Sequence, residues 1–433
     1  MLADALMVYN PARPGHCRGM PISEPEPPTY RWIVVAVSTA INALAWGTRA
    51  TFALFFIAML HEFSWGRGLT ALGYSLSWLG FVVFAPMAGW LHDRFGARTV
   101  VMSGALVLGA ALVLTSGVTS LVQYYVWFGG MTAAGIACLL IPSTTIVTRW
   151  FAQGRGAAMG ILSTGGPASA VIFYPLNGWL IATLGWRRAL AVFGCIVAAA
   201  AVALALLYRD PPAGRRLGDA ATSQTTGNEW TLRRALRTGR LWAAFTMTAL
   251  GVIGFQIMAT HQVAHAVDRG FNPTTVVAFF AFGGLSMMAG NLLGGWLSDR
   301  LGSGGVFGLG SLVAIAGIAC FAAVRGPQDE WLLVCYTASG VGFGMRIAQL
   351  ATIPAAAFAG PRLGTILGIV QAGGGLGGAI GPFVGGWLFD HTGSYRLTFI
   401  AAGVAVAGSG VAAWRAARPS PPRETGQSER RAS

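Results

Sequence analysis

Twelve stretches of this sequence are apolar over roughly the 20 residues a helix needs to cross the hydrocarbon core of a bilayer. They lie near 32–58, 70–91, 98–117, 121–143, 156–181, 187–208, 241–265, 274–297, 304–324, 331–353, 363–388 and 396–415. In lipid, every backbone N–H and C=O must find its partner within the protein, so such stretches must be α-helices. Only one connection is long. It runs from Arg209 to Arg240, carries seven Arg, and splits the chain six plus six.

Composition agrees with this reading. Hydrophobic residues make up 54% of the 433 positions and charged residues only 10%, whereas soluble domains carry roughly a quarter charged residues. In a soluble protein a net charge of +14 would point to nucleic acid; here membrane topology accounts for it. With a cytoplasmic N-terminus, 21 Arg fall on the cytoplasmic side, 6 on the other, and two inside spans. That asymmetry follows the positive-inside rule. We expect a multi-pass protein of the cell inner (plasma) membrane, both termini cytoplasmic, surrounded by lipid, with no nucleic-acid partner. The expected organisation is an N-terminal arm (1–31), a first half (32–208), a central loop (209–240), a second half (241–415) and a tail (416–433). The first 30 residues lack the apolar core of a signal peptide. The five Cys include no CxxC pair, so neither a disulfide framework nor a metal site is expected.

The two halves repeat one another. Gly89-Trp90-Leu91-His92-Asp93-Arg94-Phe95-Gly96 returns as Gly295-Trp296-Leu297-Ser298-Asp299-Arg300-Leu301-Gly302. Each copy joins two apolar runs through a short charged turn, where an Asp can meet a helix N-terminus. Gly156, Gly160, Gly165 and Gly166 match Gly364, Gly368, Gly373 and Gly374, and Gly178-Trp179-Leu180 matches Gly386-Trp387-Leu388. Two six-helix halves in one orientation, with a substrate site between them, is a transporter plan.

The repeated G-x-L-x-D-R-x-G, the twelve spans and the long loop after the sixth resemble the major facilitator superfamily over roughly residues 32–415. The resemblance implies an all-α membrane protein of two pseudo-symmetric halves, not an enzyme, working by alternating access. It maps a cytoplasmic gate onto Asp93 and Arg94, with Asp299 and Arg300 in the second half. Arg149 matches the basic residue such proteins pair with the first motif Asp. Arg49-Ala50-Thr51-Phe52 and His61-Glu62-Phe63-Ser64-Trp65-Gly66-Arg67 are similar to the first hairpin of the monocarboxylate-transporter and oxalate–formate exchanger branch. That branch carries an Arg in span eight where this chain has Asn291, so a substrate anion needs another counter-charge.

Charges within a span are costly and are functional candidates. The spans hold two, Arg49 in span one and Arg346 in span ten, and no carboxylate. The resemblance makes both spans cavity-lining, so the pair forms a site for an anion, with Arg346 as principal anchor and Arg49 assisting. Arg can grip a carboxylate through two parallel bonds. The alternative is that each Arg bonds a helix-end carbonyl or a buried amide, or snorkels. Gln256, Asn42, Trp46, Gln349 and Gln371 are candidates for orienting the substrate. For proton coupling His261 is the candidate, ahead of His265 one turn away, because His changes charge between pH 5 and 8; the alternative is interfacial hydrogen bonding. No nucleophile–base pair, nucleotide motif or cofactor signature is present. The sequence reads as a monomeric secondary transporter of a small organic anion such as a monocarboxylate, coupled to protons or to exchange. The competing readings are an exporter of amphipathic drugs or metabolites and, further off, a membrane sensor.

Overall fold

The computed structural model describes residues 29–209 and 230–418, apart from positions 51, 64, 66, 152 and 359. The N-terminal arm, the C-terminal tail and residues 210–229 of the central loop lie outside the described residues.

The described chain is helical throughout. Span 1 is Tyr30–Ala50, followed by Phe52–Phe63. Spans 2 and 3 form one helical run, Arg67–Ser116, bent at Gly96. Span 4 opens with Leu121–Tyr124, passes through a π-helical turn at Tyr125–Met131, and continues as Thr132–Trp150. Span 5 comprises Arg155–Ser163 and Gly165–Leu184, and span 6 is Trp186–Ala205. In the second half, span 7 is Gly239–Asp268, span 8 Pro273–Leu301 and span 9 Ser303–Ala323. Span 10 is built of Glu330–Ala338, Gly340–Ile347 and Gln349–Ala357. Span 11 is Leu363–Thr392 and span 12 Tyr395–Ala417. The central loop, expected to be irregular, carries a short helix, Leu232–Leu236, capped by Thr231.

Gly96 and Gly302 end the two repeated motifs, and both adopt positive φ, 79° and 78°. A side chain there would strain the backbone, which explains why each turn ends in glycine. Among the described residues the twelve spans make two six-helix halves, each built on the same pairings. Span 2 packs on span 4 and span 1 on span 5; span 8 packs on span 10 and span 7 on span 11. Large apolar side chains such as Val83, Leu285, Leu312, Phe383 and Val404 stay exposed, as expected of a surface solvated by lipid.

The halves cross at glycines. A Cβ on Gly89 of span 2 would stand 2.1 Å from the Gly364 carbonyl oxygen of span 11. The second copy does the same: a Cβ on Gly295 of span 8 would stand 2.4 Å from the Gly156 carbonyl oxygen of span 5. So the first glycine of each motif docks on the repeated glycine that opens a span of the other half. Small residues allow such close backbone approach between membrane helices. Further from the motif loops, span 11 meets span 2 through Gly368 on Ala85 and Gly378 on Trp78. Ala348 and Ala351 of span 10 are buried in the apolar cluster of the first half. The halves are therefore closed together on the side of the membrane that carries the motif loops, here called the latch side.

Candidate transport site and latches

Two latches sit where the motif loops meet the opposite half. Asp93 accepts from the backbone N–H of Gly364 at 3.0 Å, from the N–H of Thr365 at 2.8 Å, and from the Thr365 hydroxyl at 2.6 Å. Arg149 donates to the same carboxylate at 2.8 Å and also reaches the Pro361 carbonyl at 3.4 Å. Asp93 is almost sealed from solvent, with a side-chain exposure of 1%. A carboxylate at a helix N-terminus satisfies orphan N–H groups and the positive end of the helix dipole. Asp299 repeats the arrangement on span 5, accepting from Gly156 N–H at 2.9 Å and Ala157 N–H at 3.0 Å. Arg155 stands close enough to feel its charge.

Arg94 and Arg300 take no part in either network. Arg94 lies over Trp90 at 5.5 Å and Arg300 over Trp296 at 4.0 Å. His92, between the first motif's Leu91 and Asp93, is 1% exposed with both ring nitrogens unpartnered.

Arg49 and Arg346 are each buried, 5% and 4% exposed, but their surroundings differ. Arg346 turns into the second half. It donates to the Ser409 hydroxyl of span 12, lies 4.8 Å from the Phe307 ring of span 9, and approaches Gly251 of span 7. Sequence reasoning set it toward a cavity between the halves; helix 3.6-fold geometry in a span buried on several faces does not fix that direction. Arg49 lies against span 2 of the first half, beside the point where Trp78 meets Gly378 of span 11. Its guanidinium stacks 3.7 Å from the Trp78 ring, Nη2 donates to the Ser77 carbonyl at 3.4 Å, and Tyr74 is within hydrogen-bond reach. Its Nη1 is buried without a partner.

Trp78 in turn packs on Gly378 of span 11 and lies 6.1 Å from Trp46. Tyr174 of span 5, 38% exposed, faces Tyr74. Gln256 of span 7 is brought near through Gly381, one turn along span 11 from Gly378. Asn42 faces span 5 at Gly165, its Oδ1 buried and unpartnered. Gln349 donates to the Gly294 carbonyl at 3.1 Å and belongs to the span 8–10 contact, and Gln371 is half-buried on span 11. Asn291, in the position noted above, donates to the Ser163 carbonyl at 3.1 Å, tying span 8 to span 5. Sequence reasoning passed over Tyr74, Trp78 and Tyr174. Their one available signal was spacing: Tyr74 and Trp78 are four apart and share a helix face.

The two histidines separate. His261 places Nε2 3.2 Å from the Pro382 carbonyl of span 11, between the two helices. His265 is enclosed by Phe321, Tyr395 and Phe399, with ring centroids 5.0, 5.4 and 4.8 Å away.

Two pseudo-symmetric six-helix halves, latched on one side around a buried cation, define a membrane transporter. The chain belongs to the Major Facilitator Superfamily, whose family model matches residues 35–345 and 290–433. Among curated relatives it is 28% identical to monocarboxylate transporter 13 of Rattus norvegicus, covering 90% of each chain. It is 29% identical to monocarboxylate transporter 11 of Homo sapiens, covering 86% of this chain and 80% of that one. Solved structures share the fold at low identity. The transporter FucP in its outward conformation superposes with a TM-score of 0.71 at 15% identity, over 90% of this chain and all (100%) of that one. The proton:xylose symporter XylE, bound to 6-bromo-6-deoxy-D-glucose, gives 0.74 at 14%, over 90% and 96%. These relatives are transporters, not enzymes.

Proposed function

We propose that this protein is a secondary active transporter that moves a small organic monocarboxylate by alternating access, with Arg49 as the anion anchor. One observation carries the reading: a buried guanidinium in span 1, fixed over the Trp78 ring that itself packs on Gly378 of the other half, with Nη1 unpartnered. Stacking orients the planar fork, and a desolvated cation–π contact contributes up to about 2 kcal/mol toward holding it there. A carboxylate entering the site supplies the missing acceptor, and the tyrosines at 74 and 174 are placed to donate to it. The names of the curated relatives support the same substrate class.

In this reading the latch side is the cytoplasmic face of the plasma membrane, and the latched conformer takes substrate from the other side. Reorientation breaks the Asp93 and Asp299 contacts together, because both tie one half to the other. Coupling is to protons or to a second anion. For protons we assign His261, set between spans 7 and 11, whose relative position changes if the halves rock. Arg346 holds spans 7, 9, 10 and 12 together in the latched conformer.

The test is transport by purified protein in liposomes. Labelled monocarboxylate should accumulate without ATP under a pH gradient or against internal anion. Binding without flux under every gradient would overturn transport. If protons are coupled through His261, His261→Gln should abolish gradient-driven uptake while anion exchange survives.

A further inference from the structure

Six arginines gather at the latch-side ends of spans 7 and 12. Arg233 and Arg234 lie on the short helix Leu232–Leu236, Arg237 and Arg240 where it runs into span 7, and Arg415 and Arg418 at the end of span 12. Packing brings the three segments together. Ala235, Leu241, Ala412, Ala413 and Ala416 share one buried cluster, and Arg240 donates from Nε to the Ala416 carbonyl at 3.3 Å. Residues 230–243 and 411–418 contain no Asp or Glu, and Arg233, Arg237, Arg415 and Arg418 are exposed.

The sidedness of the membrane does not require this cluster. The equivalent ends in the first half, those of spans 1 and 6, carry Arg31 and Arg209 alone among the described residues. Both lie over rings, Arg31 over Trp32 and Phe151, Arg209 over Tyr30. The two halves share one bilayer and one orientation, so the positive-inside rule acts on them alike. It leaves six against two unexplained.

Height places the charges among lipid headgroups. Trp242 and Trp414 are exposed at the latch-side ends of their spans, where tryptophan marks the membrane–water boundary. At about 1.5 Å per helical residue, Arg415 stands level with Trp414, and Arg240 about 3 Å beyond Trp242. Arg418 folds back over the Trp414 ring at 3.3 Å. The Trp242 indole donates to the Leu236 carbonyl at 3.0 Å, which holds the segment carrying Arg237 at the same boundary.

We propose that this surface binds an anionic phospholipid of the latch-side leaflet, its phosphate gripped by guanidiniums among Arg233, Arg237, Arg415 and Arg418. A guanidinium meets a phosphate through two parallel bonds. A basic cluster directly beyond a membrane helix draws anionic lipid, each Arg near the surface contributing about fivefold in affinity. The acyl chains then lie along the exposed apolar face of span 12, with Val404 and Val411. Bound there, the lipid ties the end of the central loop to spans 7 and 12.

Native mass spectrometry of the purified full-length protein tests this, with phosphatidylglycerol and phosphatidylcholine of matched acyl chains as probes. We expect phosphatidylglycerol to bind at least tenfold more tightly. Arg237→Gln and Arg418→Gln should each weaken phosphatidylglycerol binding about fivefold, and the double change about twenty-five-fold, with phosphatidylcholine binding unchanged. Arg237→Lys and Arg418→Lys keep the charge and should retain most of the preference. Arg98→Gln removes an exposed arginine after the first motif and should leave the preference within twofold. Melting curves check that the variants fold, and should show stabilisation by phosphatidylglycerol and none by inorganic phosphate. Equal binding of the two lipids overturns the proposal, as do folded glutamine variants that keep full phosphatidylglycerol affinity. A loss in Arg98→Gln matching that in Arg237→Gln also overturns it, because the preference then belongs to net charge and not to a site. Inorganic phosphate that stabilises the protein and displaces the lipid makes this a site for a free anion and overturns the lipid assignment.

Discussion

At the scale of single residues, what matters is where each buried charge stands. Arg346 is held inside the second half by a hydroxyl and two aromatic rings, its Nε unpartnered; Arg49 has two rings and the Ser77 carbonyl, its Nη1 unpartnered, beside the contact of Trp78 with the other half. A charge-assisted hydrogen bond contributes about 1.5–3 kcal/mol, so Arg49→Gln should weaken monocarboxylate binding roughly ten- to hundredfold. Arg49→Lys should recover only part, because the fork is lost. Arg346→Gln should lower thermal stability and leave affinity nearly unchanged; titration calorimetry and a melting curve separate the two. Which Arg lies beside a contact between the halves was not legible in the sequence, because both lie in spans apolar on most faces. That a buried cation exists was legible from the position of each Arg inside an apolar span. Glu62 offers a residue-scale check outside the membrane. It accepts from Arg187 at 2.8 Å and from the Trp186 indole at 2.5 Å, and the Arg187 bond holds its carboxyl below the usual range. A depressed folded-state value means its stabilisation is present above about pH 4.3 and lost as pH falls through the folded value. Glu62→Gln should therefore lower the melting temperature slightly at pH 7, and the difference should shrink as pH falls below about 4.3, as a series of thermal scans would record.

At the scale of elements, the repeated glycines fall into two kinds that look alike in sequence. Gly89 and Gly364 lie at a helix crossing with no room for a methyl group, whereas a Cβ on Gly178 meets nothing within 4 Å. All three belong to duplicated segments, so repetition revealed the two-half plan and could not rank the glycines within it. Overpacking a tight contact costs about 1–3 kcal/mol, and here the cost falls on the latched conformer. Gly89→Val should reduce transport at least tenfold and lower the melting temperature. Gly178→Val should alter transport less than twofold. Uptake into liposomes with matched protein incorporation distinguishes them. Most span boundaries were legible to within four residues, but span 1 ends at Ala50 rather than near 58, span 4 runs on to Trp150 rather than 143, and the bends were not legible at all. Hydropathy marks where a helix must lie, but the π-helical turn in span 4 and the breaks in span 10 come from local packing that carries no compositional signature.

At the scale of the whole molecule, the two halves are alike in plan and unequal in grip. The motif repeats fully enough that the fold follows from it: each Asp finds the N-terminus of the opposite half's span. The hydrogen-bonded ion pair of the first Asp does not repeat among the described residues, Arg155 only lying near Asp299. Asp93 has three contacts on span 11 and Arg149 besides, while Asp299 has two backbone contacts on span 5. Arg149 stands eight residues after Ile141 of Ile141-Pro142, and the same place after Ile353 of Ile353-Pro354 in the second half is Pro361. Losing the Asp93 carboxylate also leaves Arg149 without its counter-charge, and removing one partner of a sheltered ion pair costs more than the pair contributes. The first latch should therefore set the balance between conformers. Ala351 reports on that balance: it is 3% exposed, packs against the first half's core, and lies toward the latch side of span 10. In a protein whose native cysteines are replaced, Ala351→Cys should react slowly with a maleimide supplied from the latch side. Asp93→Asn should accelerate that reaction at least tenfold, because the latched conformer loses several kcal/mol shared among charge-assisted bonds. Asp299→Asn should accelerate it less, and joining both changes should give the fastest labelling. Equal acceleration by the two single changes would mean that Arg149 adds nothing to the first latch, and that the molecule's two sides release with equal ease.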